Sequence, residues 1–159
     1  MNVPANAAAA LHELGTLDLR EGRYEEARAS SQYQLATLDL FEGKDADALA
    51  RLVDVLAVRQ EAGAKAGEAA VWQNLGALAL KQGRIVEGLR LLCLCYLLEQ
   101  AVGVTVGALG LDILEHVVER PDYVGPLLQA ILEEVIAAYE DANGAALLAG
   151  AFPRPIGPA

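Results

Sequence analysis

Apolar residues recur along the chain three and four positions apart, and glycine interrupts these runs at positions 22, 43, 63, 83 and 103. Three- and four-residue spacing puts side chains on one helical face. An interval of about twenty residues is one helix of four to five turns plus a tight connection. The pattern predicts about seven helices: from Pro4 or Ala5 to just before Gly22, then 24–42, 45–61, 68–82 and 85–101, then 104–120 up to Pro121, and last from Asp122 or Pro126 to Asn143-Gly144. The first has Ala7, Leu11, Leu14 and the run from Thr16 to Leu19 on its inner face. In the third, Leu49, Leu52, Val53, Leu56 and Val58 form the stripe, while Arg51, Asp54 and Arg59 face water. The fifth is apolar nearly all round, which suits either the centre of the core or an interface. The last carries Leu127, Leu128, Ile131, Leu132, Val135, Ile136 and Tyr139 on one face.

Three stretches share one spelling. Gly15 stands seven places before Gly22 and Ala27 five places after it; Ala36 and Ala48 flank Gly43 in the same way, and Gly76 and Gly88 flank Gly83. Small residues let two helix backbones approach closely, and a turn glycine adopts the left-handed conformation that ends a helix without strain. Each copy therefore predicts a helical hairpin. The expected fold is all-α: a solenoid occupying residues 1–144, in which the second helix answers both as the partner of the first and as the start of the next hairpin, the favoured arrangement being three hairpins preceded by one N-terminal helix. Residues 145–159 form a tail, an apolar patch followed by Phe152-Pro-Arg-Pro-Ile-Gly-Pro, whose prolines favour an extended form.

The hairpin at Val71 resembles the tetratricopeptide repeat. Trp72 falls on the family's aromatic position, Leu75 and Gly76 on its Leu-Gly pair, Gly83 on its turn, Gly88 on its small position, and Leu92 and Cys95 on second-helix core positions. Ala79 stands where a tyrosine is usual, and Gln32 replaces the aromatic in the copy at Ala36. The 40 residues from Ala36 to Gly76 make the repeat similar to the longer-helix variety of kinesin light chains and bacterial regulators. The resemblance implies a right-handed solenoid with a concave groove lined by the first helix of each hairpin. The matching positions are Ser30, Tyr33, Gln34, Thr37, Leu40 and Phe41, with Ala70, Gln73, Asn74, Ala77 and Lys81 from the later hairpin. Such a mixed polar and apolar face suits an extended peptide or a helix of a partner protein.

Composition narrows this picture. With 159 residues, 54% hydrophobic and 5% aromatic, the chain can bury a core built mainly from alanine and leucine. A formal net charge of -10 disfavours nucleic acid, which needs clustered Lys and Arg, and fits a basic or neutral partner better. Cys93 and Cys95 point about 200° apart on a helix, so they read as small core residues in a reducing, cytoplasmic setting. No basic region precedes an apolar stretch at the N-terminus, so no secretory signal is expected. Charged residues and glycines interrupt the most apolar segment, 89–114, so no membrane span is expected either.

Little in the chain points to chemistry. His116 with Asp112, Glu115 and Glu119 offers one imidazole and one facing carboxylate, too few ligands for a structural metal. No phosphate loop or nucleophile elbow is present. The expectation is a binding scaffold with no catalytic residue, metal or cofactor. Two alternatives are a homo-oligomer joined through the apolar helices 85–118, most simply a homodimer, and an apolar small-molecule pocket between the last three helices.

Overall fold

The structure, a computed structural model, describes residues 5–103 and 121–153. Six helices lie among them: α1 (Ala5–Phe41), α2 (Asp45–Glu61), α3 (Lys65–Lys81), α4 (Ile85–Val102), α5 (Pro121–Ala142) and α6 (Ala145–Ala151). The expected helix over 104–120 lies outside the described residues. No strand occurs among the described residues, so the all-α expectation holds.

One turn is used three times. Gly43, Gly63 and Gly83 adopt φ of 75°, 66° and 78°, the left-handed region. The N–H of the next residue donates back five residues, Lys44 to Asp39, Ala64 to Arg59 and Arg84 to Ala79, at 2.8, 2.9 and 2.9 Å. The carbonyl of that same residue then accepts the N–H of Ala48, Glu68 or Gly88 and opens the next helix. Carbonyls left over at one helix end are thus satisfied by the turn itself, and the next helix opens without a side-chain cap. This same geometry moves the start of α3 forward from the expected Glu68 to Lys65, with Gly67 inside its first turn.

Between the turns, small residues set the helix spacing. Ala36 and Ala48 are both 0% exposed. A Cβ added to Gly76 would lie 2.8 Å from Leu92 Cγ and 3.2 Å from the carbonyl oxygen of Gly88. The α3–α4 hairpin therefore closes to backbone contact, as the spacing around Gly83 predicts.

The first copy of the pattern does not form a hairpin. α1 runs unbroken through Gly22, a correction to the expected turn there: Gly22 is helical, and nothing lies within 4 Å of the Cβ it lacks. A turn at Gly22 needs an apolar second helix to pack back, but Ala27, Ser31 and Gln34 on that face are exposed. The chain instead keeps a single rod, whose continuous backbone bonding outweighs a helical glycine's cost of about 1 kcal/mol. Its opposite face buries Ala29 and Ala36. Gly15 and Gly22 therefore lie within one helix, and Leu17, expected inside, is 56% exposed.

The C-terminal helices fold back onto the hairpins through a buried carboxylate. Glu68, 0% exposed, accepts hydrogen bonds from Trp72 Nε1 at 3.2 Å, Gln60 Nε2 at 3.1 Å, Lys65 Nζ at 3.2 Å and the Tyr139 hydroxyl at 3.1 Å. Lys65 also donates to the Tyr139 oxygen. Gln60 Nε2 further donates to the carbonyl of Asn143 at 2.9 Å. The turn between α5 and α6 lies on the indole: a Cβ on Gly144 (φ 81°) would come within 3.1 Å of Trp72 Cζ2 and 3.0 Å of Leu94 Cδ2. The apolar patch of the expected tail is thus the helix α6, and its Leu147 and Ala151 are buried in the common core. Residues 154–159, the proline-rich end, lie outside the described residues.

Three further corrections concern burial. Arg59, expected in water, is 7% exposed; its Nη1 donates to the Gly67 carbonyl at 2.8 Å and its guanidinium lies 4.6 Å from the Tyr33 ring centroid. Val53 and Ile136, expected inside, are 37% and 42% exposed.

Two outcomes follow for urea denaturation. Gly22→Ala should raise stability by about 0.5–1 kcal/mol because the site is helical, whereas Gly43→Ala should lower it by about 1 kcal/mol or more because its φ is positive. Glu68→Ala strands the buried Trp72 N–H and three half-buried donors and should cost about 3 kcal/mol, against about 1 kcal/mol for Tyr139→Phe.

Candidate functional site

α1 and α3 lie side by side and run in the same direction. The Tyr33 hydroxyl donates to the Ala70 carbonyl at 3.3 Å and Asn74 Nδ2 to Thr37 Oγ1 at 3.4 Å, so equal steps along one helix match equal steps along the other. Thr37 also donates to the Tyr33 carbonyl at 3.0 Å. The first helices of the two hairpins are therefore neighbours, and the residues expected to line a groove fall into two groups. Tyr33, Thr37 and Asn74 bridge α1 to α3, and Lys81 reaches Asp45 on α2 at 2.6 Å. Ser30, Gln34 and Phe41 are exposed, with Phe41 at 86%, and Gln73 is half-buried. Leu38, beside them, is 52% exposed.

A second concave feature lies on the face of α2 turned away from α1. Leu49 and Val53 on α2 face Ala145, Leu148, Ala149 and Phe152 across a cleft of about 460 Å³. The cleft continues along α2 into a smaller hollow of about 140 Å³ bounded by Val53, Ala57, Gln60, Asn143 and Leu148, with Trp72 and Leu56 in its lining. Sequence reasoning missed this cleft because it assigned Val53 to the core. The available signal was the small-residue row Ala46, Ala50, Val53, Ala57, which sits beside the buried row rather than on it.

The apolar surplus of the fifth expected helix is spent inside the fold. In α4, Gly88, the run Leu91–Cys95, Leu98 and Glu99 are buried, and exposure is concentrated at the ends, where Ile85, Val86 and Val102 are 54%, 50% and 38% exposed. The middle of this helix therefore lies in the core.

The two thiols are buried. Burial pushes the Cys93 thiol up to about 11 and the Cys95 thiol up to about 12, the latter helped by its neighbour Glu99, so both stay protonated at neutral pH. His12 is exposed on α1, and His116 lies outside the described residues. Among the described residues no three His, Cys, Asp or Glu side chains form a group that could hold a metal. No described helix is long and apolar enough to cross a membrane.

No family model, curated protein or solved structure matches the chain.

The buried thiols and the half-buried phenols set the response to alkali. The folded-state pKa of Cys93 and Cys95 is raised by burial, as is that of Tyr33 and Tyr139, and that of Lys65 is raised by its bond to Tyr139. A raised pKa gives stability that is complete below the unfolded value and lost as pH climbs through the folded one. Urea midpoints should therefore fall between about pH 9 and pH 12, driven chiefly by the two thiols. In the same experiment a thiol-specific chromogenic reagent should react with neither cysteine of the native protein at pH 8 and with both in urea.

Proposed function

We propose that the protein is a binding module of the tetratricopeptide-like α-solenoid kind, which holds a peptide or helix of another protein on the shared face of α1 and α3 and has no reacting group of its own. The observation that carries this reading is the exposed Phe41, 86% accessible, beside Gln34 and Ser30 on a face whose neighbouring polar groups already brace α1 against α3. A large aromatic held in water by a braced pair of helices is a costly arrangement for an isolated chain and a ready anchor for a partner. The bracing bonds fix the spacing of the two helices, so little order has to be created when a partner arrives. Two features support the solenoid: the same turn recurs at Gly43, Gly63 and Gly83, and the repeat signature recurs at Ala36–Ala48 and Gly76–Gly88. The net charge of -10 favours a basic or neutral partner over nucleic acid.

The test is affinity capture from the source cells with tagged wild type and with the double variant Gln34→Ala, Phe41→Ala, read by mass spectrometry. Both substituted residues are exposed, so the variant should fold normally while losing at least about tenfold in captured partner. Equal capture by the two proteins would remove this face from consideration.

A further inference from the structure

We infer that the cleft between α2 and α6 is a second docking surface, whose occupant is an amphipathic helix from another protein with an apolar seam and basic flanking residues. This surface lies on the side of α2 away from the α1–α3 face and does not depend on the reading given for that face.

The argument begins with the spacing on α2. At 100° per residue, Ala46, Ala50 and Ala57 all lie within about 60° of Val53, at intervals of four, three and four residues. This is the seam of a coiled-coil strand, and it is exposed: Val53 is 37% accessible and the three alanines are open to solvent. Over its length of about 16 Å, small side chains let another helix backbone come close, as they do at Gly76 and Gly88 inside the fold. On one flank of the seam stands the wall of Leu148 and Phe152, which gives the cleft its volume of about 460 Å³. A helix laid along α2 would have its apolar face enclosed on two sides.

The other flank fixes the charge of the occupant. Asp47, Asp54 and Glu61 follow one another at intervals of seven along the edge of the seam, and all three are exposed. At such flanking positions charge selects the partner and its register. Among the described residues Lys44, at the start of α2, reaches Asp47 but is paired chiefly with Glu42, and no cation within the bordering helices answers Asp54 or Glu61. α5 and α6 contain no Lys or Arg, and the two arginines of α2 are engaged elsewhere. Arg51 donates to Asp39 at 2.9 Å and to Gln32 at 2.6 Å, and Arg59 is buried against Gly67 and Tyr33. Glu140 and Asp141, exposed at the end of α5 just before the wall begins, add to the same negative field. A second copy of this chain is disfavoured as occupant, because antiparallel pairing through the seam would set one acidic row against the other. An anionic membrane surface is disfavoured for the same reason.

The experiment uses the full chain and two synthetic amphipathic helices with one Leu/Ala seam, the first carrying Lys and the second Glu at both flanking positions. Binding is followed by calorimetry and by the fluorescence of Trp72, the single tryptophan, which borders the inner end of the cleft. The Lys peptide should bind, shift the Trp72 emission and weaken with added salt, and the Glu peptide should bind at least about tenfold more weakly. Val53→Asp should reduce the Lys-peptide affinity about tenfold or more. The double variant Asp47→Lys, Asp54→Lys changes only exposed side chains and should reverse the peptide preference; Glu13→Lys, Glu21→Lys on α1 and Phe41→Ala should leave it unchanged. Equal binding of the two peptides, absence of binding, or a preference that follows total charge rather than the two α2 positions would overturn the proposal. So would sedimentation showing a wild-type dimer that Val53→Asp converts to monomer, since the occupant would then be a second copy.

Discussion

A carboxylate removed from water must find all its donors inside the protein, and the side chain of Glu68 imposes that requirement on this fold. Its donors come from Gln60 at the end of α2, Lys65 and Trp72 on α3, and Tyr139 on α5. The first three are local to one turn and one helix. Tyr139 stands 71 residues away and must be carried to the site. An unpaired buried charge is expensive, so satisfying Glu68 fixes where the last turns of α5 can lie. Once they are there, the left-handed residues Asn143 and Gly144 settle on Trp72, and α6 can only continue beside α2.

The two surfaces argued for above differ in how they are supported. The α1–α3 face is braced across the helices by Tyr33, Thr37 and Asn74, polar groups that satisfy one another where a groove floor would otherwise leave them to a ligand. What the face offers outward is Phe41 and its exposed neighbours. The cleft against α6 depends on the C-terminal helices being held against the hairpins, by the Glu68 network and by Ile131, Val135, Leu147 and Ala151 in the common core. The α1–α3 bridges share no bond with that network.

Unequal support also appears along α1. Its C-terminal half is clamped by α2, with Ala36 and Ala48 both buried and Arg51 bonded to Asp39 and Gln32. Towards the N-terminus the described side chains are mainly exposed, among them Leu17 and Tyr24. Gly22 sits between these two regimes. Its neighbours lack the apolar second face that Gly43 and Gly83 have, and without that face the backbone gains nothing by reversing.

Features that depend on near neighbours are legible in the order of residues. Gly43, Gly63 and Gly83 end their helices because only glycine enters the left-handed region freely, and the small pairs Ala36–Ala48 and Gly76–Gly88 set how closely the hairpins shut. Such facts are written within a dozen residues and can be read there. Tertiary structure alone decided the rest. Gly22 carries the same local spelling as the turn glycines and remains helical, because the outcome rests on whether a distant face is available to pack. Arg59 reads as a solvent-facing cation and is buried because Gly67 and Tyr33, far apart in sequence, close over it. Val53 reads as core and lines a cleft because α6, anchored by Leu147 and Ala151 in the common core, comes to rest across from it. A periodicity records which side of a helix is apolar; which neighbour covers that side depends on long-range bonds that no local pattern encodes.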